Sequence, residues 1–204
     1  MSTASTTKPL AIGFGSAGML LSPDEYDAIR DYDQQYRYEL VHGVLVVNPI
    51  PSQGESDPNE ELGRLLRIYR EDHPSGHVLD RTLSEQYVRT HDSRRRADRV
   101  LWIGLGRRPD VKQDVPTIVV EFVSPSRRDH LRDYVEKRHE YLALGVAEYW
   151  IINRFQRNMT VYRQNDPPEQ TVAENQTYHC PLLPGFELPL QRLLAIADEW
   201  GESE

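Results

Sequence analysis

The chain has 204 residues, 38% of them hydrophobic and 27% charged, with a formal net charge of −8. That composition fits a soluble globular protein with room for a core and excludes a disordered one. The net charge argues against unselective nucleic-acid binding by the whole surface. No apolar stretch approaches the roughly 18 residues of a membrane span, and the single cysteine, Cys180, excludes an internal disulfide or a cysteine metal cage. A reducing cytoplasm is the expected compartment.

Residues 1–18 are rich in Ser, Thr, Ala and Gly and lack the continuous apolar stretch of a signal peptide. They predict a flexible N-terminal tail ahead of a single domain over 19–204. Ser22-Pro23-Asp24-Glu25 supplies an N-cap, a proline at the first helical position and a capping-box glutamate, so a short helix starts there. Arg37 to Val47 holds two apolar runs about His42-Gly43 and reads as a β-hairpin. Pro49, Pro51 and Pro58 predict a loop, and Asn59 to Glu71 a helix, with Leu62, Leu65, Leu66 and Tyr69 at helical spacing. Strands follow near 80–89, 98–104 and 117–123, then a helix over 129–144 ended by Gly145. Glu148 to Asn153 and Met159 to Arg163 read as two more strands, Asp166-Pro167-Pro168 breaks the pattern, and a late helix lies near Leu190 to Trp200. The order is that of a mixed α/β layer fold, one sheet with helices against it.

Glu121 stands out in this pattern. The run Thr117 to Val123 is apolar and β-branched, bounded by Pro116 and by Ser124-Pro125-Ser126, as in a central buried strand. An ionised, unpaired carboxylate there costs several kcal/mol, so a cation or a paired base is expected opposite it. Asp98 opens the apolar strand Val100-Leu101-Trp102-Ile103. If the two strands are neighbours, the acids converge, and two carboxylates with waters and substrate phosphates make a Mg²⁺ site of the kind used for phosphodiester cleavage. The plainer reading of Asp98 is turn chemistry. Lys137, one helical turn after Asp133, is either half of a surface ion pair or a cation that reaches the metal-bound water or the phosphate and stabilises the developing oxyanion.

Asp110, in Arg107-Arg108-Pro109-Asp110, is rejected as the metal-binding aspartate because the polar Val111-Lys112-Gln113-Asp114 follows it instead of an apolar strand. The basic clusters Arg94-Arg95-Arg96 with Arg99, Arg107-Arg108, and Arg127-Arg128 with Arg132 read either as local basicity suited to an anionic substrate or as solvated loop arginines. The histidines lack the spacing of a zinc site. His42 fits a turn that needs positive φ, and Trp102 and Trp150 read as core.

Taken in order, Tyr38 to Val47, Arg95-Arg96-Ala97-Asp98, Val119 to Ser126, Asp133 to Tyr141 and Gly145 to Trp150 resemble the Uma-two-like family of endonucleases, a branch of the PD-(D/E)XK nuclease superfamily. The resemblance covers roughly residues 20 to 165. It implies a restriction-endonuclease-like fold, a mixed sheet flanked by helices with an N-terminal β-hairpin extension. It further implies Asp98 and Glu121 as metal-binding carboxylates, Glu39 as an accessory acid and Lys137 as the catalytic lysine, moved from strand to helix. In the wider superfamily the lysine lies two residues after the acidic strand residue, where this chain has Val123. The family's usual proline before the aspartate is Ala97 here.

The expected function is Mg²⁺-dependent phosphodiester hydrolysis, with Mn²⁺ as the alternative ion and DNA as the expected substrate. A homodimer is an open expectation, since one site cuts one strand. The alternatives are an inactive nucleic-acid or protein-binding module on the same fold, and a hydrolase of another phosphate ester.

Overall fold

The computed structural model describes residues 10–124, 132–164 and 168–201. Two compact units form, Met1–Ile50 with Arg89–Arg95, and Pro51–Val88 with Arg96–Glu204. The fold is mixed α/β, with a large mixed sheet flanked by helices.

In the first unit, β1 (Ala11–Ile12) runs parallel to β2 (Asp31–Tyr32). Part of the expected N-terminal tail is therefore strand, and its first nine residues lie outside the described ones. Helix α1 (Pro23–Ala28) starts at the Ser22 cap, where the Glu25 carboxylate accepts the Ser22 N–H at 2.8 Å and the Ser22 hydroxyl accepts the Glu25 N–H. Strands β3 (Tyr36–Val41) and β4 (Val44–Pro49) form the expected hairpin. Its turn needs left-handed backbone at both central positions, and His42 (φ 48°) and Gly43 (φ 79°) supply it. His42 is held there by its N–H to Ser93 Oγ and its ring to Asp92.

The second unit opens with α2 (Gln53–Asp72). The sequence predicts a loop up to Pro58, yet the helix starts five residues earlier. Ser52 and Glu55 form a capping box, and Pro58 sits only six residues in, where its missing N–H removes a single helical bond. Strands β5 (Leu79–Arg89), β6 (Arg94–Ile103) and β7 (Ile118–Phe122) follow. A π-helical turn, Arg132–Lys137, then leads into α3 (Arg138–Leu144), which Gly145 ends at φ 104°. The expected start of that helix, with Arg127-Arg128, lies outside the described residues, as does most of Asp166-Pro167-Pro168. Strands β8 (Glu148–Asn153), β9 (Asn158–Arg163) and β10 (Glu169–Ala173), the small pair β11 (Thr177–His179) and β12 (Glu187–Pro189), and helix α4 (Leu190–Asp198) complete the unit.

The unit's strands lie in the order β10-β9-β8-β7-β6, with β5 also paired to β6. Among the described strands of this unit only β7 and β8 run parallel, and β7, with a strand on either side, is buried along its whole length. Side chains alternate across it. Ile118, Val120 and Phe122 join the core beneath α2 and α4, while Val119 and Val123 join the core beneath α3 with Tyr141, Tyr149 and Ile151. Trp102 and Trp150 are core residues, as expected. The arginines of β6 are not solvated loop residues. Arg94 is bonded to Asp27, and Arg99 binds Asn59 with Nε and Nη2 and Thr82 with Nη1. Burial with specific partners lets a polar stretch run as strand, so β6 begins at Arg94, four residues before the predicted start.

Candidate active site

The β6–β7 register pairs Arg99 with Val120 and Val100 with Val119. The next step along it sets Asp98 opposite Glu121. Directly opposed residues in an antiparallel pair point to the same face with Cβ atoms about 5 Å apart. At this point the ladder gives way to a side chain, for the Phe122 N–H donates to Asp98 Oδ2 at 2.7 Å. That bond fixes the Asp98 carboxylate beside the end of β7. Asn59 of α2 holds the same residue from behind, its Nδ2 donating to the Asp98 carbonyl at 2.9 Å.

Glu121 is 3% exposed. Its cation is Lys137, whose Nζ lies 2.9 Å from Glu121 Oε1 and 3.5 Å from Asp133 Oδ1, and donates to the Arg96 carbonyl at 3.3 Å. Lys137 and Asp133 are each 2% exposed, so the pairing one helical turn apart is a buried one and not the surface ion pair. The π-helical turn carries both residues inward. Such turns are rare and concentrate at functional positions. The Tyr141 hydroxyl donates to Glu121 Oε1 at 3.3 Å, and the Tyr149 hydroxyl holds the Asp133 carbonyl at 3.1 Å. Val123 packs in the core under α3.

Burial sets the protonation of the acids. It raises Asp98 from the ordinary 3.8 to about 7, against the pull of Lys137 and the Phe122 N–H, and the charges of Glu85 and Glu55 add to the rise. Burial likewise raises Glu121 well above the carboxylate range; Lys137 opposes this, and Asp98 and Asp133 reinforce it. Two acids with raised pKa facing one buried ammonium form a cluster in which added positive charge is favoured.

The donor set suits a hard divalent cation. Among the described residues, hydrogen bonds reach Asp98 at Oδ2 and Glu121 at Oε1, so one oxygen of each acid is available to an ion. Asp98 keeps part of its surface open. Among the described residues no group of three or more His, Cys, Asp or Glu is arranged as a metal cage. Waters and substrate phosphate would therefore complete the shell, as is usual for Mg²⁺.

The structure thus brings Asp98, Glu121 and Lys137 together. Glu39 is a residue of β3 in the first unit, buried, with Asn48 Nδ2 donating to its Oε2 at 3.2 Å. Asp110, the rejected alternative, lies in an exposed turn, where Asp114 pairs with Arg107. Sequence reasoning missed two groups at this site. Glu55 caps α2 and also accepts the Ser124 hydroxyl with Oε1, two residues beyond Phe122. Tyr141 was one aromatic among many. Only the Ser-x-x-Glu capping spacing marks Glu55 in the sequence, and that spacing explains it without any site.

Comparison with known proteins bears on the family and the fold. The profile of the Uma2 family, described as "Putative restriction endonuclease", matches residues 23–191. No curated protein matches the chain. Among solved structures, one described as a "putative nuclease belonging to DUF820" from Anabaena variabilis ATCC 29413 superposes with a TM-score of 0.66 at 14% identity, covering 87% of this chain and 99% of that one. At that identity the likeness concerns the fold.

Proposed function

The chain belongs to the Uma2 family, and from that premise we propose that it is a metal-dependent endonuclease hydrolysing phosphodiester bonds in DNA. Asp98 and Glu121 are the acids that hold the ion, Mg²⁺ or alternatively Mn²⁺, and Lys137 is the catalytic cation. The observation that carries the proposal is Lys137 Nζ at 2.9 Å from Glu121, in a buried cluster where the β6–β7 register sets Asp98 opposite that same glutamate.

When bound, a hard divalent ion supplies charge neutralisation at the phosphate and acidifies water. The protein's own part is positioning. The Phe122 N–H holds the Asp98 carboxylate and the Tyr141 hydroxyl that of Glu121. Asp133 and the Arg96 carbonyl aim the Lys137 ammonium at the carboxylate face, where its charge offsets charge developing on the phosphate oxygens. Glu39 is assigned as accessory acid by the family pattern alone.

The test is supercoiled plasmid incubated with Mg²⁺ or Mn²⁺, followed for nicked and linear products. Wild type is expected to nick, while Asp98→Ala and Glu121→Ala fall by at least about a hundredfold, the scale on which single transition-state contacts act. A wild type that cleaves no DNA or RNA with either ion overturns the proposal. Metal-independent DNA binding without cleavage would instead mark a binding module.

A further inference from the structure

On the opposite face of β6 from the acids, the second unit carries a basic groove. Two adjoining cavities of about 610 and 580 Å³ share Arg70, Arg81 and Arg108 in their walls. Arg67 completes one wall and Arg99 lines the same cavity, 1% exposed. Arg99 follows Asp98 along the strand but turns to α2, bonded to Asn59, so the groove and the acids lie on opposite sides of the sheet.

Two features make this more than a scatter of surface charge. Arg81 and Arg108 are exposed and make no side-chain hydrogen bond or ion pair among the described residues. Arg67 reaches a carboxylate only at 4.0 Å, and Arg70 spends its Nε on the Leu79 carbonyl. Six arginines, Arg107 among them paired with Asp114, thus face three acids, Glu71, Asp80 and Asp110, in a chain whose net charge is −8. Arg99, which has Glu60 at 3.7 Å, is lowered to about 10 chiefly by burial; the charge of Glu60 opposes this and that of Arg67 adds to it.

We propose that this groove holds the phosphate backbone of a nucleic-acid duplex, without regard to sequence. Guanidinium groups bind phosphate bidentately, and the Thr82 and Ser84 hydroxyls beside them are of the kind that contact backbone phosphates. Among the described residues no Phe, Tyr or Trp lines either cavity, so they offer no aromatic platform for unstacked bases, and a single strand loses the stacking that usually holds it. The proposal rests on the nuclease reading only for the identity of the polyanion, and adds a second contact to the substrate on the face away from the acids.

The experiment separates the two. A labelled 20-base-pair duplex is titrated with the full chain in EDTA, so that cleavage plays no part, over a series of salt concentrations, with a single strand of equal length beside it. Wild type is expected to bind the duplex more tightly. Arg81→Glu with Arg108→Glu is expected to weaken duplex binding at least about tenfold and to reduce the salt slope by about two, one for each lost phosphate contact. Arg64→Glu, a single charge reversal on α2 outside the groove, should leave binding within about twofold of wild type. Unchanged affinity and slope in the double variant overturn the groove, whatever the cleavage assay shows. So does a wild type that binds no duplex at low salt, that prefers the single strand, or that loses the duplex to polyglutamate of equal charge. Loss of cleavage with the groove intact, by contrast, counts against the nuclease reading alone.

Discussion

Replacing Lys137 by methionine removes a buried ammonium while keeping most of the side-chain volume. Glu121 and Asp133 then face each other at 3% and 2% exposure without the cation that sits 2.9 and 3.5 Å from them. Breaking a buried ion pair from one side costs about 3–5 kcal/mol, because the remaining charge stays buried and uncompensated. That is a large share of the roughly 5–15 kcal/mol that stabilises a folded protein. At about 2–4 °C per kcal/mol for a chain of this size, Tm should fall by roughly 10 °C. The deficit depends on pH with a definite sign. Glu121 is already raised well above its ordinary value, and without Lys137 it rises further, so the folded variant holds protons that the unfolded chain releases. The loss is therefore greatest above neutral pH and shrinks as pH falls towards the unfolded carboxylate value near 4. Calorimetric melting of wild type and Lys137→Met at pH 8 and pH 5.5 reads both effects, and adding Glu121→Gln should recover part of the loss in a double-mutant cycle. A Lys137→Met variant within about 1 kcal/mol of wild type at pH 8 would refute the buried cluster.

Ion binding should follow the proton on Asp98. With its pKa near 7, Mn²⁺ must displace a proton below neutrality. Calorimetric affinity should then fall at least about tenfold per unit below pH 7, and a flat profile from pH 5.5 to 8 would contradict the assignment. In metal-free protein the same raised pKa favours the folded state at low pH, and that contribution is lost as pH rises from about 4 to about 7. Asp98→Asn should therefore flatten the stability curve across this window, as seen by urea midpoints. Gly63 of α2 lies against the Arg99 guanidinium, where an added Cβ would meet Nη2 at 2.5 Å. Arg99 cannot swing away without breaking its bonds to Asn59 and Thr82, so Gly63→Ala should cost about 1–3 kcal/mol. An unchanged denaturation midpoint would show that the arginine is less fixed than its partners imply.

The parts of the fold that were legible are those that local chemistry dictates. The Ser22 cap, the His42-Gly43 hairpin, the β7 run and Gly145 each carry their own signal within a few residues. What was missed depends on distant partners. The start of β6 reads as polar because Arg94 meets Asp27, 67 positions away, and Arg99 meets Asn59, 40 away. The start of α2 was hidden by Pro58, a helix breaker in general that costs little so near the N-terminus. Strands β10 to β12 are short and are defined by pairing more than by pattern. At the site, Glu121 was visible because a charge in an apolar strand demands a partner. Asp133 and Lys137 showed only a spacing that suits a surface pair equally well, and burial separates the two. Glu55 showed only a capping spacing, and Tyr141 had no signal of its own.

The central claim is that Asp98 and Glu121 together hold a divalent ion. Crystals grown with Mn²⁺ and measured near the manganese absorption edge test it most directly. The account predicts an anomalous peak bridging the Asp98 and Glu121 carboxylates, within about 2.0–2.6 Å of an oxygen of each, and its loss in Asp98→Asn. No peak there, in protein that nicks plasmid under the same Mn²⁺ concentration, would contradict it.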